Sequence, residues 1–138
     1  MLGVLQRIGI CYLVAGLLFI YLPVRGLVMA FLVLLAGYWA LLSFVPVPGQ
    51  ETVSFEAGRN ITNWFDSKYL PFAKWSGTYD PEGILSTLPS IATCLLGVFV
   101  GLLLKNKELT RGKRGLLFFG VGLIFVLCGH LWGGYHPV

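Results

Sequence analysis

The chain has 138 residues, of which 57% are hydrophobic and only 12% charged, and its mean hydropathy is +0.81. A soluble domain of that length needs a polar shell these residues cannot supply, so composition excludes the soluble globular classes and points to an integral membrane protein. The net charge of +4, ten Lys and Arg against six Asp and Glu, does not indicate nucleic acid: half of the basic residues crowd one short loop with no nucleic-acid motif beside them.

A hydrocarbon core of about 30 Å takes roughly 20 helical residues to cross. The first apolar run that suffices is Gly3–Leu22. It carries Arg7, the one basic side chain placed within a span rather than in a turn. Charge inside a bilayer is expensive and marks function by default. Near the outer end of its helix, however, Arg7 can also snorkel to the headgroups or hold a structural ion pair. Both readings stand, and Asp80 and Glu82, on the same face by topology, are its expected partners. Gln6 beside it can donate and accept between helices, as packing glue or as part of a pocket wall. Cys11, Cys94 and Cys128 all lie in apolar runs without paired spacing, so they read as small buried hydrophobes rather than a disulfide framework or a metal site.

Only "PVR" (Pro23–Arg25) separates this run from the second span, Gly26–Val45, which predicts a tight helical hairpin. A polar and aromatic loop, Pro46–Gly83, follows. Its stretch "GRNITNWFDSKYLPFAKWSGTYDPEG" is dense in rings. These predict either an interfacial helix or aromatic belt at the membrane surface, or a lid that stacks on sugar faces. "NIT" (Asn60–Thr62) matches the glycosylation sequon, a triplet common by chance.

The third span, Ile84–Leu104, is introduced by "DPEG". Asp80 suits a helix N-cap, Pro81 the first helical position, and Glu82 the positive end of the helix dipole. A cap uses one acid only, which leaves the other to orient a polar substrate or act as a base at the outer face. Ser86, Thr87, Ser90 and Thr93 make a polar stripe, with Pro89 interrupting the hydrogen-bond ladder. A kinked, hydroxyl-lined helix suits a pocket wall, though the same hydroxyls can satisfy the kink locally. Gly97 with Gly101, and Gly129 with Gly133, are small-xxx-small pairs of the kind that mark close helix contacts.

The basic loop Lys105–Gly115 joins the third span to the fourth, Leu116–Trp132. Lys105, Lys107, Arg111, Lys113 and Arg114 stand there against one Glu108, and Arg25 falls on the same face, which is therefore expected to be cytoplasmic. The long loop and both chain ends then lie outside. An outside N-terminus with neither the charged n-region nor the cleavage site of a signal peptide has two explanations: the segment inserts by itself with its N-terminus out, or, the favoured expectation, further spans precede Met1, which is then an internal start or a fragment boundary. His130 and His136 flank the end of the fourth span with no ligating neighbour, so no metal or triad role is assigned to them. Continuous apolar runs lack the alternation of a membrane barrel. The expected fold class is all-α, a polytopic transmembrane helix bundle with four spans in this chain.

"GVLQRIGICYLVAGLL" (Gly3–Leu18) and "YDPEGILSTLPSIATCLLGVFVGLLL" (Tyr79–Leu104) resemble the heparan-α-glucosaminide N-acetyltransferase-like membrane proteins, including their bacterial relatives. The LQR near the start of a span and the DPEG-containing block occur in the order and at about the separation expected, and "NWFDSKYLP" fits more loosely. The resemblance covers most of this chain but only the middle of the family's larger polytopic domain. It implies a membrane acetyltransferase in a bacterial cytoplasmic (inner) membrane, with acetyl-CoA as co-substrate and an amino sugar as acceptor on the non-cytoplasmic side. The family's proposed catalytic histidine, in an early non-cytoplasmic segment, and its LRG-type motif have no counterpart here, nor does the N-K-x-x-W-T-type stretch downstream, and His136 matches no catalytic position. The chain is thus expected to supply substrate-positioning residues (Arg7, Asp80, Glu82) and a pocket wall (Gln6, Ser86, Thr87, Ser90, Thr93), without a metal, and to be inactive alone. Direct transfer and transfer through an acetylated histidine both stay open, as does a pocket shared between protomers. The alternatives are a small four-span transporter, which lacks the mid-membrane acid that proton coupling needs, and a non-catalytic membrane scaffold.

Overall fold

A computed structural model describes residues 3–50, 52–56, 59–69, 83–107 and 110–135. These residues form five helices, with no strand among them: α1 (Val4–Tyr21), α2 (Val24–Phe44), α3 (Ile61–Tyr69), α4 (Thr87–Lys105) and α5 (Arg111–Tyr135). All but α3 are long and apolar enough to cross a membrane, at 18, 21, 19 and 25 residues. At 1.5 Å rise per residue they extend about 27 to 38 Å, which matches the hydrocarbon thickness. Their apolar surface is turned outward: α5 buries none of its apolar window and α2 only 6%. In water that exposure would be untenable; in a bilayer, side chains such as Leu5, Val33, Phe119 and Val126 meet lipid tails of the same polarity. The chain is an all-α, multi-pass integral membrane protein.

Residues 1–98 make one compact unit and residues 99–138 another. In the first, α1 packs on α2 and α2 on α3. Its core takes Cys11 and Ala15 from α1, Leu27 from α2, Ile61 from α3, and Ile91, Ala92 and Leu95 from the N-terminal half of α4. Each helix of this unit thus buries only a few residues, down to Leu27 alone on α2. Pro23 caps α2, with the Leu27 amide donating to its carbonyl at 3.0 Å, so the helix starts at Val24 and takes Arg25 into its first turn. Gly26 keeps the hairpin tight, since a Cβ there would stand 3.2 Å from the Leu22 Cβ.

Asn60 starts α3. Its Oδ1 accepts from the Asn63 amide at 2.9 Å and the Thr62 hydroxyl at 2.6 Å, while its Nδ2 donates to the Glu56 carbonyl at 3.3 Å. The asparagine of "NIT" is therefore committed as an N-cap.

The start of α4 differs from expectation. Ile84–Ser86 form a turn and the helix begins at Thr87, so its N-terminus is not at Pro81, and Asp80, Pro81 and Glu82 lie outside the described residues. Pro89 consequently falls in the first turn, where a missing amide breaks little of the ladder. No mid-span proline kink is needed, and the Leu85 carbonyl receives the Leu88 amide at 3.1 Å instead.

In the second unit, α5 begins at Arg111 rather than at Leu116, so Arg111, Lys113 and Arg114 stand on its opening turns and not in a loop. Cations there oppose the helix dipole. Arg114 offsets part of this by donating Nη2 to the Asn106 carbonyl at 2.5 Å, which ties the opening of α5 back to the residue after α4.

Candidate functional site

Arg7 stands on the first turn of α1, half-buried, and reaches α4. Its Nη2 donates to the Ser86 carbonyl oxygen at 2.9 Å and to Ser90 Oγ. Ser86 ends the turn that leads into α4 and Ser90 lies one turn further on, so its hydroxyl and the Ser86 carbonyl reach the same guanidinium. Ser90 Oγ donates in turn to the Ser86 carbonyl at 3.2 Å, closing a triangle of guanidinium, hydroxyl and carbonyl. A single planar cation thus joins two spans that are far apart in sequence.

Beside this link lies an open groove of about 440 Å³. Val4, Arg7, Ile8, Cys11 and Tyr12 line it from α1, and Ser90, Thr93 and Cys94 from α4. Its size falls within the range of small-molecule sites, with a few polar groups set among apolar walls.

The remaining sequence-predicted residues divide. Ser86 Oγ and Thr87 Oγ1 both donate to the Gly83 carbonyl at 2.9 Å, and Thr93 Oγ1 to the Pro89 carbonyl at 3.0 Å. These hydroxyls serve the backbone of their own segment, the local alternative at the sequence level, while Thr93 also lines the groove. Gln6 is exposed and folds back onto the Gly3 amide at 3.1 Å as a cap for α1, away from the groove lining. Asp80, Glu82 and His136 lie outside the described residues.

One functional-looking residue was missed. Asp66, on α3, is only 1% exposed, and its Oδ1 accepts the Ile84 amide at 3.0 Å. Its carboxylate lies flat against Gly83, where a Cβ would come 1.6 Å from Oδ2. Thr62, 4% exposed, sits on the same helix one turn before Asp66. In the sequence Asp66 was only one acid of a polar loop. The available signal was its spacing of four from Thr62, together with a glycine at the entrance of the next span.

The aromatic face of α3 is already engaged. Lys68 Nζ lies 5.1 Å from the Trp64 ring centre and 5.9 Å from that of Tyr69, and Tyr69 packs on Phe65 at 4.6 Å. A cation over a ring competes with a sugar for that face. Among the described residues, no three His, Cys, Asp or Glu side chains come together as metal ligands would. No protein-family model matches the chain, and no curated protein or solved structure does either.

Proposed function

We propose that this chain forms part of a membrane-embedded acetyltransferase that moves acetyl from acetyl-CoA to an amino sugar on the non-cytoplasmic side. The observation that supports it best is the Arg7 link: a guanidinium lining a groove between two spans, bonded to the turn that follows "DPEG". Such a group can orient a polar acceptor or hold the two spans together at the groove. The identities of donor and acceptor come from the resemblance of the LQR and DPEG blocks, and the bacterial inner membrane is proposed on the same ground. Within this reading Arg7, with Asp80 and Glu82, positions substrate, Ser90 and Thr93 belong to the wall, and the principal catalyst is not among the residues assigned here.

The test is acetyl-CoA binding and acetyl transfer to glucosamine by membranes carrying the chain within its full in-frame genomic sequence. Binding and transfer together support the proposal. A protein that binds no acetyl-CoA at any concentration is a scaffold instead.

A further inference from the structure

The structure assigns Asp66 a positioning role: its buried carboxylate latches α3 onto Gly83 and Ile84 and thereby sets the place of the Ser86 carbonyl that Arg7 grips. This rests on the reading of the Arg7 groove as the site.

The segment that opens α4 needs an outside partner, because the first amides of a helix and its entering turn have no acceptors of their own. Here the acceptor comes from another element. Asp66 Oδ1 takes the Ile84 amide at 3.0 Å. Two features make the contact selective. The side chain is 1% exposed and short, so it has little freedom to swing away. Gly83 is also the one residue type that fits beneath it, since a Cβ would stand 1.6, 2.3 and 2.6 Å from Oδ2, Cγ and Oδ1.

The consequences run along the turn. The Gly83 carbonyl accepts both the Ser86 and Thr87 hydroxyls, and three residues beyond Gly83 the Ser86 carbonyl accepts Arg7. Moving Gly83 therefore moves the acceptor of the guanidinium. From the other side, α3 is itself anchored, by the Asn60 cap and by its packing on α2. Asp66 is then where α2 and α3 transmit their position to α4 and to Arg7, without touching the groove themselves.

The test is a double-mutant cycle in the full protein in nanodiscs, read by amide hydrogen exchange over residues 83–90 and by the rate of Cys94 labelling with a maleimide. Neither readout involves acetyl-CoA, so the latch and the proposed activity can fail separately. Asp66→Ala and Gly83→Ala should each raise exchange in this turn by about tenfold, as loss of one hydrogen bond would, and should change Cys94 labelling. Asp66→Asn, which keeps an oxygen acceptor, should restore most of the protection. The pair Asp66→Ala with Gly83→Ala should be no worse than Asp66→Ala alone, because the added methyl no longer meets a carboxylate. If Gly83→Ala fails to fold, folding of the pair supports the latch. Additive damage in the pair, an unperturbed Gly83→Ala, or an Asp66→Asn as damaged as Asp66→Ala would overturn it.

Discussion

Arg7 Nη2 and the Ser86 carbonyl oxygen meet at 2.9 Å, joining positions 79 residues apart. The same nitrogen also donates to Ser90 Oγ, so one side chain holds α1 to both the entering turn and the first turns of α4. Removing it strips donors from two acceptors at once. Arg7→Ala should destabilise the protein by about 1–3 kcal/mol, measured by chemical unfolding in detergent. Arg7→Lys should recover only part of that, because a strongly hydrated ammonium on a flexible stem is held against these acceptors less readily than the preorganised guanidinium.

Pro89 supplies a contrasting case. In the first turn of α4 it interrupts little, so Pro89→Ala should change stability by less than about 1 kcal/mol. A proline placed deeper, as Leu96→Pro, should cost about 3 kcal/mol or more. The same unfolding series reads both.

The four spans were legible because each is a continuous apolar run, and lipid asks little more of a sequence than length and polarity. Their ends were not. The opening of α5 at Arg111 is hidden by its own cations, which lower hydropathy without preventing a helix. The opening of α4 at Thr87 depends on where Asp66 catches the Ile84 amide, a contact between segments that no local pattern encodes. For the site, the sequence singled out Arg7 by its expense in a membrane, and the structure supplied Ser86 and Ser90 as its partners on α4. Gln6 looked equally polar and equally placed, yet it is used as a cap. Asp66 escaped notice because burial, rather than residue type, distinguishes it from the other acids of its loop.

The capping of α3 can be tested on its own. Asn60→Ala should lose about 0.5–2 kcal/mol of local stability, seen as faster proteolysis within residues 59–69. Asn60→Asp keeps the acceptor oxygen and should restore most of the resistance.

Cys11 and Cys94 line the same groove from opposite helices and are free thiols. In a Cys128→Ser background, a short bifunctional maleimide should join them within one chain, detectable as a cross-linked tryptic pair. Absence of that pair, with both thiols reactive singly, would place α1 and α4 apart at this level.

Arg7 is proposed to serve a transfer site as well as a helix contact. The direct measurement is transfer of labelled acetyl from acetyl-CoA to glucosamine by membranes expressing the protein from its full genomic reading frame, compared with Arg7→Ala at equal abundance. The account predicts transfer by the unaltered protein and a fall of at least about tenfold, or some 1.4 kcal/mol of transition-state stabilisation, in the variant. Transfer that is absent, or that survives Arg7→Ala unchanged, would contradict it.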